Sequence, residues 1–554
     1  MKKNFLLIKS ILLLSFLGGC TSELDINANP NAPVVTNPDY VLSGAFVATG
    51  NIITTASLTR STSQWSGYAA ASGSYSQSGD QVRTYILTAN GFLNENPWAN
   101  LYANVANYNF VENTAKGLKG YDYYVAISKI MKAYCFQNLV DAYGNVPYTD
   151  ALKGFGQLSP KYDDAQSVYD SAAAQLDKAV SIISNASSTS KALSGSVDLV
   201  FKGDMTKWMQ LANTLRLRMM IHQSKIYGTR KAYIDGQIAA IVANGKGFLT
   251  TNATIQPGYT KGEGQQNPFW ETNGFNVANA YAGKDYIRTS NFALNYLNSK
   301  SDPRIDYLFR LPSTDPGTGA ATAPAWNNAV AYKVGNVVRY NGVAFSCIND
   351  IAAGGAAPAP SASEKANWHT YFSTDFGALP TTNLSSAYTS GFGVGILGSP
   401  SQDLPFFNAA QSYFLQSEAV LLGWITGDSK ALYTLGIKAS MTQLGVPSVA
   451  QTAYFGTAVS DNDYTTSPIN AIITQKWISN YMMDCMEAWT DVRRTGIPVV
   501  PKSIDPGVVA IPGGVNANVP IRLLYPQTEY NVNSSNVAAQ GTISPFSPKI
   551  FWNK

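Results

Sequence analysis

Apolar residues recur at helical spacing in several segments of this chain, and that periodicity constrains its fold more than any other feature. Tyr124, Ile127, Met131 and Tyr134 share one helical face, with Gly144 and Pro147 as the stop. A second helix carries Val168, Ala172, Leu176, Ala179 and Ile183 behind Asp163 and Asp164; a third begins after Asp204 with Trp208, Leu211, Leu215 and Met219 aligned. Further helices are expected over Phe406–Trp424, over Ser429–Leu444 behind the cap Asp428, and over Ala471–Trp489, where Ile473, Trp477 and Tyr481 recur. The pattern predicts several amphipathic helices. Paired helices of this length suit tetratricopeptide stacking, yet no fixed period is present, so repeats do not follow from the sequence alone.

The N-terminus sets the compartment. Lys2 and Lys3 precede a mostly apolar run from Phe5 to Phe16, broken by Lys9, and Leu17-Gly18-Gly19-Cys20 follows. A basic start, an apolar core too short to span a bilayer and small residues before a cysteine form a lipoprotein export signal. Residues 1–19 are read as the signal, Cys20 as the lipidated first mature residue, and residues 20–38 as a polar tether. The alternative is an ordinary secretory signal with a chance cysteine. No second membrane segment is expected.

Apolar residues make up 45% of the chain and charged residues 13%, which requires a folded body. Abundant Tyr, Phe and Trp among Asn, Ser, Thr and Gly suit sugar or peptide surfaces. A net charge of +4 over 554 residues gives no basic stripe for nucleic acid. Cys135, Cys347 and Cys485 are too few and scattered for a disulfide framework or a zinc site. A serine triad or His-rich metal centre would have to use His222 or His369, and His222 lies late on an apolar helix face, where a packed core histidine is expected. No cofactor is implied; a structural calcium ion is left open.

Residues 313–374 change character, with Pro, Gly and Ala flanks around Trp326 to Tyr371. Asn336–Tyr340 and Val343–Ile348 are strand-like runs around Asn341-Gly342, a strong hairpin signal, so a small inserted β module is expected there.

Four ordered segments carry a resemblance. Lys129–Leu152 with its YGNVPY turn, Asp204–Arg218 (DMTKWMQLANTLRLR), Glu487–Pro498 (EAWTDVRRTGIP) and Pro520–Asn533 (PIRLLYPQTEYNVN) resemble the SusD/RagB family of outer-membrane nutrient-binding lipoproteins, in its second, SusD-like branch. The resemblance implies a mainly α fold, a mostly helical body of four tetratricopeptide-like helix pairs over residues 39–312 and 375–554, with irregular binding loops. It also implies a surface lipoprotein that lids a SusC-like TonB-dependent transporter and takes oligosaccharides, sometimes peptides. Glu23 and Asp25 resemble the export tag of Bacteroidetes surface lipoproteins. The signature residues Asp491, Arg493 and Arg494 read as structural, since paired guanidinium and carboxylate groups fix turns.

The inserted segment resembles carbohydrate-binding families 5 and 12 through Ala325-Trp326, Ala331-Tyr332, Gly335, Val337, Tyr340, Gly342, Phe345, Pro358 and Trp368. The aromatic pair that many chitin-binding members carry after the second strand is replaced by Cys347-Ile348-Asn349-Asp350, so a sugar platform would come from Trp368, Tyr371 or Tyr332. Half of these aromatics are expected in the module's own small core.

Sugar recognition needs flat apolar faces beside planar polar groups. Two polar loops qualify, one with Trp65, Tyr68 and Tyr75, the other with Trp270, Phe275 and Tyr281. Trp65 has the alternative of anchoring a helix to the core, while Trp98, Trp208, Trp424, Trp477 and Trp489 sit in helical patterns and are expected inside. No motif pairs two carboxylates as a glycosidase would. The expected function is non-catalytic capture of oligosaccharides, chitin-like β-linked glycans first. The alternatives are peptide capture and a secreted glycoside hydrolase.

Overall fold

The computed structural model describes residues 37–54, 56–72, 80–278, 287–314, 319–358, 367–379, 389–513 and 518–553. Cys20, Tyr75, Tyr281, the signal and almost all of the tether lie outside the described residues. Eleven helices of ten or more residues dominate them: α1 (Pro38–Thr54), α2 (Ala56–Trp65), α3 (Phe92–Lys116), α4 (Asp122–Tyr143), α5 (Ala165–Ser184), α6 (Met205–His222), α7 (Tyr227–Ala243), α8 (Ala409–Leu421), α9 (Ser429–Gln443), α10 (Pro468–Ser479) and α11 (Cys485–Thr495). Asp164, Asp204, Asn408, Asp428 and Asp484 open α5, α6, α8, α9 and α11, each accepting a hydrogen bond from a first-turn amide that would otherwise lack a partner. Consecutive helices pack side by side, α3 on α4, α4 on α5, α5 on α6, α6 on α7 and α8 on α9, the arrangement expected of tetratricopeptide-like pairs.

The central helix α4 ends at Gly144, whose φ of 81° is left-handed and costs a glycine little. A Cβ there would also meet the Arg522 guanidinium at 3.4 Å. Beyond it Val146 bridges Asp163, and the Asp163 carboxylate accepts from the N–H groups of Tyr148 and Thr149 at 2.8 and 3.0 Å. The YGNVPY segment is therefore a helix exit tied down by hydrogen bonds.

Three boundaries differ from expectation. Ala471–Trp489 is two helices, because the chain turns between Ser479 and Cys485, with Met482 at φ 56°. Tyr481 and Met482 stay buried through the turn, so apolar continuity hides the break. Phe406 and Phe407 belong to a strand, α8 starts behind Asn408, and Trp424 lies beyond its end, half-buried 5.4 Å from the Tyr227 ring. Pro38 opens α1 instead of closing the tether, a first-turn position that tolerates proline.

Among the described residues four small antiparallel sheets complete the fold. β1 (Ala69–Ala70) pairs with β3 (Arg288–Thr289), β2 (Ala253–Ile255) with β9 (Leu404–Phe407), β4 (Phe309–Arg310) with β8 (Gly391–Phe392), and β5 (Val337–Tyr340), β6 (Val343–Cys347) and β7 (Trp368–His369) form the fourth. One core gathers α1 to α7 with Trp489, Tyr525 and Trp552; a second gathers Phe269, Leu308, Phe414, Tyr433 and Trp477. Among the described residues no single helix is long and apolar enough to cross a membrane.

The three-stranded sheet is the inserted module. Its turn places Asn341 and Gly342 at φ 50° and 79°, the left-handed pair of a two-residue hairpin. Side chains alternate: Val338 and Phe345 join Tyr332, Cys347, Ile351 and Trp368 in the module's own core, while Val337 and Ala344 pack on Leu311 and Ala320. Six buried side chains, each worth about 1.5–3 kcal/mol, are few against the chain entropy of ordering the segment, so docking on the body contributes to its order. Thr374 bridges Ser290 and donates to the Ala71 carbonyl at 3.2 Å. It belongs to the body, and an excision meant to spare the body should stop short of it.

Candidate functional site

The signature segment lies on α11, inside the protein. Arg494 grips Glu418 through both oxygens at 2.6 and 3.0 Å and holds Asp491 at 2.8 Å. Arg493 lies 3.6 Å from the Trp489 ring centroid and donates to the carbonyls of Asp141 and Ile521 at 2.6 and 2.9 Å. Lys476 pairs with Glu487 and, at 2.9 Å, with Asp491. All of these groups are buried, so they join α8, α10 and α11 and cannot meet a ligand. Bidentate pairing inside the protein is strong because its partners are fixed and little water competes.

His222 is buried in the core, as expected, and is part of the same network. Tyr169 donates its proton to Asp141, so its oxygen can only accept from His222 Nδ1, 3.0 Å away. His222 Nε2 lies 3.0 Å from Glu487 Oε2. Both ring nitrogens therefore donate, which requires the imidazolium. Burial opposes that charge, but the carboxylates of Glu487 and Asp141 outweigh it and raise the pKa. Glu487, opposed by burial and held by Lys476, His222 and Arg218, sits well below the usual carboxylate range.

The aromatic candidates fall in three groups. Trp65 and Tyr68 are buried, Trp65 donating from Nε1 to the Val82 carbonyl at 3.1 Å and Tyr68 lying 5.2 Å from the Trp477 ring. Trp270 is buried in a short helix, Pro268–Asn273, and its Nε1 donates to the carbonyl of half-buried Phe275 at 3.0 Å. Trp368 and Tyr332 face each other in the module's core at 5.0 Å. A stacking platform needs an open ring face, so Trp65, Tyr68, Trp270, Trp368 and Tyr332 are corrected from binding candidates to packing residues. Tyr371 instead clamps the module: its hydroxyl donates to Asp306 Oδ1 at 2.6 Å, Arg339 pairs with the same carboxylate, and Ser346 Oγ donates to the Pro312 carbonyl at 2.7 Å.

The aromatic pair left open on the module is Trp326 and Tyr340, both half-buried, packed edge to face at 5.5 Å. Tyr340 ends β5 next to the hairpin turn and packs, half-buried, on the edge of the small core. That position was the signal available in the sequence.

The chain matches the SusD-like family, described as starch-binding and associating with the outer membrane, over residues 30–330 and 359–526. It belongs to that family. Residues 325–369 match carbohydrate-binding module family 5/12, so the gap in the SusD-like match is where the module sits. Solved structures agree with the fold. A chitin-binding SusD homolog from Flavobacterium johnsoniae is 23% identical, with 93% of this chain and 98% of that chain covered and a TM-score of 0.66. A SusD-like protein from Bacteroides thetaiotaomicron is 22% identical (93% and 99% covered, TM-score 0.66), and a SusD homolog from Bacteroides ovatus is 19% identical (93% and 99%, TM-score 0.67). No curated protein matches the chain.

On this SusD-like body a cleft of about 430 Å³ opens between β2, β9, the segment 394–403 and the turn between α10 and α11. Asn252, Gln402, Asp403 and Gln443 supply its polar lining, Phe269, Leu404 and Met482 its apolar lining. No motif marks it, because its residues come from six segments distant in sequence. Among the described residues no three metal-ligating side chains meet.

Proposed function

We propose that the protein is a non-catalytic, lipid-anchored glycan-binding protein of the outer-membrane surface, which captures oligosaccharides, chitin-like β-linked glycans first, and passes them to a SusC-like TonB-dependent transporter. The observation that carries this reading is the family 5/12 module seated on a SusD-like body with Trp326 and Tyr340 half-open at its rim. Aromatic faces take the C–H side of a sugar ring, and a docked module presents them at a fixed place. A chitin-binding relative of the same fold supports the choice of ligand. The export signal supports Cys20 as the anchor.

Ring stacking of this kind is worth about 1–3 kcal/mol by analogy with base stacking. Trp326→Ala is therefore expected to weaken retention of the full chain on insoluble chitin about tenfold or more, while its melting temperature stays within a few degrees. Equal retention of the variant would overturn the role given to the module.

A further inference from the structure

We infer that the cleft between β2, β9 and the α10–α11 turn is a second glycan subsite, built for a sugar ring that bears an acetamido group. The inference rests on the glycan reading above but uses no residue of the module. Its volume, about 430 Å³, falls in the range of small-ligand pockets. The lining holds no Lys, Arg or His and a single carboxylate, Asp403, which disfavours anionic ligands.

The amides of the cleft are under-used. Gln443 Nε2 donates only to the thioether of Met483, at 2.8 Å, and sulfur of this kind is a weak acceptor. Among the described residues no hydrogen bond engages Gln443 Oε1. Asn252 Oδ1 is fixed by the Ala409 amide at 2.9 Å, and its Nδ2 has no partner among the described residues. Asp403 Oδ1 accepts from Gln256 at 2.9 Å, whereas Oδ2 has only Thr254 at 3.4 Å. An acetamido group is a trans amide whose carbonyl and N–H point in opposite directions; its carbonyl accepts from Gln443 Nε2, and Gln443 Oε1 is left to accept from the adjacent ring hydroxyl. The acetamido methyl then meets the side chains of Met482 and Met483, which line the same cleft, and methionine adapts to such a group at small cost. Ring hydroxyls are left for Asn252 and Asp403.

The test is calorimetric titration of the full chain with N,N′-diacetylchitobiose, with cellobiose as the disaccharide without acetamido groups. The Trp326→Ala variant is expected to retain one binding event for diacetylchitobiose and none of similar strength for cellobiose. Adding Gln443→Leu should weaken that remaining event about tenfold, and Asp403→Asn, at an exposed position that does not threaten folding, should weaken it severalfold. Three outcomes overturn the subsite: no binding left in Trp326→Ala, residual binding that ignores both cleft substitutions, or cellobiose bound as well as diacetylchitobiose. If the unaltered chain binds no glycan at all, the glycan reading fails with it; binding that depends on Trp326 alone removes the subsite and leaves that reading standing.

Discussion

Replacing Glu487 with alanine is expected to lower stability by about 3–5 kcal/mol, because removing one partner of a buried ion network leaves the others charged and unpaired. Lys476, His222 and Arg218 all converge on this carboxylate, with His222 at 3.0 Å and Arg218 at 3.7 Å. The four buried carboxylates Asp141, Glu418, Glu487 and Asp491, with half-buried Asp484, are balanced by Lys476, Arg218, Arg493 and Arg494 together with protonated His222. Urea unfolding measures the loss, and a shift below about 1 kcal/mol would mean that the network relaxes around the gap. The same network sets a pH dependence. A histidine whose pKa is raised on folding contributes stability that is complete below its unfolded value, about 6.5, and lost as pH rises through the folded value. Stability should therefore fall on the alkaline side, and His222→Gln should flatten that slope.

Trp368→Ala is expected to melt the module while leaving the body folded. The side chain is buried against Tyr332, and its Nε1 donates to the Ala356 carbonyl at 3.2 Å. Deleting a buried tryptophan costs about 3–5 kcal/mol, more than a core of six side chains can lose and remain ordered. Hydrogen exchange and limited proteolysis should show residues 325–369 opening while α3 to α6 stay protected. Loss of protection across α3 to α6 would show that the module and the body unfold as one unit.

Much of the fold was legible because its determinants are local. Asp164, Asp204 and Asp428 cap helices where the sequence placed them, and Asn341-Gly342 makes the expected hairpin. The break between α10 and α11 was not legible, since no glycine or proline marks Asn480–Asp484 and the strained residue is Met482. The structural reading of Asp491, Arg493 and Arg494 agrees with their burial. The site was harder to read. Trp65, Tyr68 and Trp270 lie among small polar residues, which suggests exposure, but their neighbours in space come from Val82, Trp477 and Phe275. Only tertiary packing decides which rings stay buried, and Trp326 and Tyr340 are half-buried where those three are not.

The central claim is that this chain binds a glycan without cleaving it. Titrating the full chain with chitohexaose in a calorimeter, and then analysing the sugar recovered from the cell, tests it most directly. The account predicts a saturable heat and an intact hexasaccharide. No heat at millimolar sugar, or a steady accumulation of shorter sugars, would contradict it.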